Sequence, residues 1–400
     1  MPLRWMVFSL ALLVAGIPAT AQAPTGSVEG RVICSDGNVP ARSASVELVP
    51  LARLLAAGDG SKATYLRSLK SRTDFNGNYA LASVPVGTYV VYISEAGYSS
   101  DLPLVRKVLD QFTRKEREKL LANFPEVTVE AGGTASKNVV IYRGGAITGR
   151  VSIDTGGTPG KTVVTAAMVS SDLLGDMNDS KRKEPLHFAL TGTTDDRGVY
   201  RIAGLPAGTY RIQVMLVEQF NFDNGSESTR ATRAGTGSVM VFAPDALQQS
   251  DAKLVKVGEG DELSDIDITL PLSRLHSVSG TITQDGAPVA WAFVSIAPQR
   301  QKNDEADSMS SDDENYLDAC ELTGMICADG PSDGMSMPDG SYRFDLLPPG
   351  TYTIKAQRYP LGAGRIDGRP LGPSAKITIQ VNDRDILDAN IDIPAQASGQ

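Results

Sequence analysis

The chain is poor in the residues that most enzymatic chemistry needs. Among 400 residues there are two histidines and three cysteines, aromatics make up 6%, and the 38 Lys and Arg are outnumbered by 47 Asp and Glu. A zinc peptidase centre takes two histidines and a carboxylate around the metal, plus a general base. His187 and His276 stand far apart, neither in a His-x-x-Glu context. The same two are the only candidate bases for a serine or cysteine nucleophile. There is no phosphate loop and no dinucleotide fingerprint between a strand and a helix. Acids are plentiful, but no pair stands out as a glycosidase couple. The chain reads as non-catalytic, with no cofactor.

Three cysteines are too few for a disulfide-built scaffold. Cys320 and Cys327 lie close together in one polar insertion and are a candidate disulfide in an oxidising compartment. Cys34, beside an expected strand, reads as a small semi-buried side chain. Long apolar runs are missing after the first residues. Arg4, the apolar run Trp5 to Ile17 and Ala19-Thr20-Ala21 read as a secretory signal peptide over 1–21. That run is shorter than the ~20 apolar residues a spanning helix needs, so no membrane span is expected after cleavage. Losing Arg4 takes the formal net charge from −9 to −10. An acidic chain repels nucleic acid and anionic headgroups, which excludes both as partners.

What is abundant is glycine (39) and proline (23), the composition of short strands joined by tight turns. Self-similarity then decides the architecture. Asp74-Phe-Asn-Gly77-Asn-Tyr79 is followed by Val84-Pro85-Val-Gly87-Thr88-Tyr89. Asp195-Asp-Arg-Gly198-Val-Tyr200 is followed by Leu205-Pro206-Ala-Gly208-Thr209-Tyr210, and Pro338-Asp339-Gly340-Ser-Tyr342 by Leu347-Pro348-Pro-Gly350-Thr351-Tyr352. Upstream of each block lies a strand with a central glycine, Gly30, Gly149 or Gly280. Downstream come alternating strands such as Val127-Thr-Val129, Ile266-Asp-Ile268 and Ile377-Thr-Ile379. Asp or Asn before Gly makes a hairpin turn, and Pro-x-Gly bends the chain. Thr-Tyr starts the return strand, its ring buried and its hydroxyl aimed at a backbone partner.

The pattern Asp-x-x-Gly-x-Tyr, then Leu-Pro-x-Gly-Thr-Tyr, resembles the carboxypeptidase regulatory-like domain, a transthyretin-like sandwich. It is also similar to the Cna-B and carbohydrate-binding-like groups. The resemblance implies an all-β chain of three tandem Ig-like or transthyretin-like antiparallel β-sandwiches, over 25–143, 144–272 and 273–394, with a polar tail at 395–400. It implies a secreted, periplasmic or cell-surface protein of the bacterial envelope. Cna-B relatives carry a Lys–Asn isopeptide crosslink. The opening strands here offer Arg31, Arg150 and Thr281 in place of the lysine, so none is expected. The third copy departs from the pattern at Met337, where the others have Asp74 and Asp195.

Non-repeating segments must carry whatever is individual. Val105 to Phe124 has apolar residues around a charged centre and predicts a short amphipathic helix inserted in the first sandwich, ended by Pro125. Asp172 to Glu184 and Phe220 to Gly237 read as mobile loops. In the third insertion Asp304, Asp307, Asp312 and Asp313 are candidate calcium ligands, since calcium takes six to eight oxygens. Their spacing does not match an EF-hand, and a solvated acidic loop is the competing reading. Trp291, Tyr316 and Tyr359 are candidates for stacking a sugar ring. Trp291 in Ala290-Trp-Ala-Phe-Val294 alternates as a strand residue, which favours core packing. The sequence thus points to a binding and scaffold protein whose partner is an envelope protein or a polysaccharide, or to an accessory subunit of an envelope enzyme or transporter.

Overall fold

Alternation of apolar and polar residues makes strands of almost every segment the repeat delimits. The computed structural model describes residues 23–57, 66–174, 188–222, 232–299, 332–358 and 373–395. In chain order the first copy comprises β1 (Thr25–Cys34), β2 (Val39–Pro40), β3 (Ser45–Pro50), helix α1 (Leu51–Leu55), β4 (Leu69–Arg72), β5 (Asn78–Pro85), β6 (Gly87–Ser94) and β7 (Tyr98–Ser99). Helices α2 (Leu102–Val108) and α3 (Arg114–Leu121) follow, then β8 (Glu126–Val129), β9 (Thr134–Ser136) and β10 (Val139–Arg143). The second copy comprises β11 (Gly145–Ile153), β12 (Val163–Ser171), β13 (Ala189–Thr193), β14 (Val199–Leu205), β15 (Gly208–Phe222), β16 (Thr232–Phe242), β17 (Leu254–Val257), β18 (Glu262–Leu263) and β19 (Ile268–Leu270). The third comprises β20 (His276–Gln284), β21 (Ala287–Pro288), β22 (Phe293–Pro298), β23 (Ser332–Met335), β24 (Ser341–Leu347), β25 (Gly350–Gln357), β26 (Ser374–Val381) and β27 (Ile391–Asp392).

Each copy is two facing sheets. One is built on the opening strand: β5 beside β1, β14 beside β11, β24 beside β20. The other runs β4-β3-β6-β8, β13-β12-β15 with β16 and β17, and β23-β22-β25-β26. Inward residues of both sheets are buried, among them Val28, Val46 and Val91, then Ile147, Val164 and Ile212, then Val278, Val294 and Ile354. Burying each such aliphatic side chain contributes about 1.5–3 kcal/mol. The chain is thus an all-β series of tandem sandwiches. Pairing is antiparallel except where the returning chain of each copy meets its own first strand. There it is parallel, with Val32 beside Val139, Val151 beside Ile268 and Ile282 beside Ile391.

That parallel closure is a dense polar corner. The returning chain crosses directly over the central glycine of the first strand. A Cβ on Gly30, Gly149 or Gly280 would overlap the carbonyl oxygen of Lys137, Ile266 or Ala389. The same carbonyl accepts the phenol of a tyrosine paired across from that glycine. The donors are Tyr79 to Lys137 at 2.7 Å, Tyr200 to Ile266 at 2.5 Å, and Tyr342 to Ala389. One residue on, the side-chain oxygen of Asn138, Asp267 or Asn390 accepts the backbone N–H of Arg31, Arg150 or Thr281 at 2.9, 2.8 and 2.9 Å. The second tyrosine of each copy fixes the bend before it. Tyr89, Tyr210 and Tyr352 donate to the carbonyls of Pro85, Pro206 and Pro348 at 2.8, 2.7 and 2.8 Å.

The chain divides into two compact units. One holds residues up to Glu95 together with Leu109–Ile141, and the other holds Ala96–Val108 with everything from Tyr142 on. In the second unit β7 pairs with the last two residues of β10, Gly144 N–H donates to the Gly97 carbonyl at 3.0 Å, and the Arg143 guanidinium lies 5.4 Å from the centre of the Tyr98 ring.

The expected helix over Val105 to Phe124 forms as two. Thr113 interrupts it as an N-cap: its hydroxyl accepts the Glu116 N–H, and the Glu116 carboxylate accepts the Thr113 N–H at 2.8 Å. In the first unit α3 is fastened to α1, which the sequence pattern does not announce. Arg117 donates to the carbonyls of Leu55 at 2.7 Å and Phe112 at 2.9 Å.

The corner sets a test. Gly149→Ala is expected to cost at least about 2–3 kcal/mol, since a methyl group is forced onto a backbone carbonyl. Tyr200→Phe, which leaves the Ile266 carbonyl without its phenol, should cost about 1–2 kcal/mol. Urea unfolding measures both, and a parental midpoint for Gly149→Ala would show the corner to be dispensable.

Candidate functional site

The turn that opens each block carries exposed residues at its tip. In the first copy the Asp74 carboxylate accepts the N–H groups of Asn76 and Asn78, both at 2.8 Å. In the second, Asp195 accepts those of Arg197 at 2.9 Å and Val199 at 2.8 Å. These bonds, led by the Asn78 and Val199 N–H groups, hold both carboxyls below the ordinary value of 3.8. Met337 has no carboxylate. The third turn keeps the backbone pairing, Met337 N–H to Ser341 carbonyl at 2.8 Å, while Asp339 accepts the Ser341 N–H at 3.0 Å instead.

Two further sets of residues recur that the motif reading missed. The residue just before each turn is a buried hydroxyl, Thr73, Thr194 or Ser336. It donates to the carbonyl of Ala41, Gly160 or Val289 and accepts the N–H of Ala44, Thr162 or Ala292, all at 2.6–2.9 Å. It therefore braces the crossing between the two sheets. Ahead of each bend, Ser83, Gly204 and Leu346 hold φ of 56°, 79° and 59° at a β-bulge. In sequence, a Ser or Thr before the turn is a weak signal for the first set, and Ser83, Gly204 and Leu346 share no residue type that would mark the second.

What the tips offer differs from copy to copy. Phe75 stands 78% exposed at the first turn, where the Arg31 Nε donates to the Asn76 carbonyl at 2.9 Å. The second turn carries exposed Asp196 and Arg197 and the third exposed Pro338 and Asp339. Phe75 is an aromatic the stacking candidates did not include. Trp291, by contrast, is not a strand residue. It lies in the turn before β22, half-buried, with φ of 60°, its N–H donating to the Ser336 carbonyl at 3.2 Å. The corresponding place in the first copy holds Ser43 at φ 58°. Tyr316, Tyr359, Cys320, Cys327, Asp304, Asp307, Asp312, Asp313, His187 and the signal segment 1–21 lie outside the described residues.

One other expectation changes. Phe220 to Gly237 is not a plain loop: β15 and β16 pair from Gln213 with Phe242 as far as Phe222 with Thr232, interrupted by one bulge. The apolar residues of the helical insertion pack inward, with Val105, Leu120 and Leu121 all buried. Cys34 is buried and unpaired in a disulfide. Among the described residues no group of three or more His, Cys, Asp or Glu side chains is placed to hold a metal ion, and no helix is long and apolar enough to cross a membrane.

No protein-family model matches the chain, and no curated protein sequence does. Solved structures similar to it include the Bacillus anthracis TIE protein, at 15% identity over 93% of this chain and 51% of that one, with a TM-score of 0.21. The chain thus spans about half the length of that protein. A streptococcal ancillary pilin matches at 10% identity over 92% of this chain and 99% of its own, with a TM-score of 0.29. GBS52, the minor pilin of Streptococcus agalactiae, matches at 13% identity over 64% and 98%, with a TM-score of 0.28. The sandwich architecture stands on the pairing of the chain's own strands.

The frame's ionisable groups predict how it fails at both ends of the pH scale. Burial raises the phenols of all six corner tyrosines above 10.0, to about 12 for Tyr79 and Tyr352. Folding therefore favours their protonated form, and that stability is lost as pH rises above 10. Ultraviolet difference absorbance should show these phenols ionising together with unfolding, not before it. Asp74 and Asp195 are depressed, so their contribution is present above 3.8 and lost as pH falls through their folded values. The double variant Asp74→Asn, Asp195→Asn should lose less stability on acidification than the parent, and equal slopes would refute the assignment.

Proposed function

We propose that the chain is a non-catalytic, secreted or surface-exposed scaffold of the bacterial envelope that presents its turn tips and non-repeating loops to a protein partner. One observation carries this reading. Three frames share the same hydrogen-bonded corner, brace and bend, yet the residue pairs they expose at the first turn differ completely: Phe75 and Asn76, Asp196 and Arg197, Pro338 and Asp339. A conserved frame with variable exposed tips is how rigid sandwiches deliver recognition. The scarcity of histidine supports a role without catalysis. The expected organisation is three modules in series, exported by the segment 1–21.

A second reading, glycan binding, is favoured by Phe75 itself. An aromatic ring 78% exposed, with Asn76 and Asn78 beside it and Arg31 of β1 bonded to the Asn76 carbonyl, is a platform on which a sugar ring could stack. Photocrosslinking from position 76, beside Phe75, to envelope proteins, run beside a polysaccharide panel, separates the two. The scaffold reading expects a protein crosslink that falls severalfold in Phe75→Ala, with an unchanged melting temperature and no response to any polysaccharide. Saturable polysaccharide binding abolished by Phe75→Ala would replace it with the glycan reading.

A further inference from the structure

We infer that the β15–β16 hairpin is a strap that locks the second sandwich to the third, and that Gly237 is the residue that lets it seat. The inference goes beyond the scaffold reading and does not depend on it. β15 and β16 continue as a paired ribbon well past the end of β12, whose last partner on β15 is Val214. β16 lies against β23 and β24 of the third copy. Both copies fall within one compact unit.

The contact is backbone on backbone. A Cβ on Gly237 would overlap the Asp345 carbonyl on β24, so only glycine permits this approach. Gly237 is itself buried. The other side of the contact is equally specific. Ala82 and Ala203, the outward residues that correspond to Asp345 in the first two copies, are exposed, whereas Asp345 is 7% exposed. A carboxylate this buried needs a partner, and Arg343 provides it: its guanidinium bonds Asp345 Oδ1 at 2.7 Å. Asp345 also sits in the bulge of β24, next to left-handed Leu346. The third copy has therefore adapted the outer face of β24 to something that covers it, and the glycine of β16 is what arrives there.

Hydrogen exchange on the full mature chain tests this. Gly237→Ala is expected to raise exchange of β16 and β24 about tenfold, a loss of about 1.4 kcal/mol, and Gly237→Val more, while β12 exchanges as in the parent. Small-angle scattering of Gly237→Val should show a larger maximum dimension as the two sandwiches separate. Parental exchange of β24 in both variants would overturn the strap. So would equal loss of protection in β12 and β24 on Gly237→Ala, because Gly237 would then serve the second sandwich alone.

Discussion

Everything in each sandwich converges on one carbonyl group. The oxygens of Lys137, Ile266 and Ala389 each receive a buried phenol, and each leaves no room for a Cβ on the glycine beneath. That glycine weakens its strand, since it has no side chain to pack. The tyrosine ring paired across from it fills the space instead, so the two residues are a single device, an aromatic covering a glycine. The hydroxyl then satisfies a carbonyl that closure of the sandwich has buried, at a net gain of about 1 kcal/mol against a larger penalty if left unpaired. The corner ties the last strand to the first, which is the closure with the greatest sequence separation in each copy. The neighbouring Asn138, Asp267 or Asn390 repeats the tie one residue on.

Sequence patterning revealed this architecture because its essential residues are of rare types at fixed spacing. Gly, Pro and Tyr have strong conformational or packing signatures, so Gly149, Tyr200, Pro206 and Tyr210 could be placed without coordinates. Thr194 and Asp267 could not. A single polar residue next to a turn or strand looks like ordinary surface, and only its burial or its backbone partner shows that it is structural. The β15–β16 ribbon was missed for a related reason. A strand that leaves its own sandwich to lie on another need not alternate with its parent core, so Phe220 to Gly237 lacks the period that would mark it. Alternation alone does not reveal the left-handed conformation that keeps Trp291 in the turn before β22.

The functional part was far less legible. Turn chemistry repeats because turns are needed three times, and for that reason it carries no ligand information. Phe75 is visible in the sequence as one more apolar residue. Only its 78% exposure singles it out as a candidate contact.

The three copies also differ in how comfortably they hold the shared frame. At the crossing and at the bulge the second copy uses glycines, Gly160 and Gly204, while the first uses Ser43 and Ser83 and the third Trp291 and Leu346. Left-handed backbone costs a non-glycine residue about 1–2 kcal/mol, and a large side chain relieves none of it. The third copy has in addition lost the turn carboxylate at Met337. It is therefore the copy with the least local support for its turns. It is also the one whose outer strand is covered by a neighbour, at Asp345 against Gly237. Strain of this kind persists only where surrounding structure over-determines it. In the proposed strap, packing from the second sandwich would supply that constraint to the third copy at Asp345, beside left-handed Leu346.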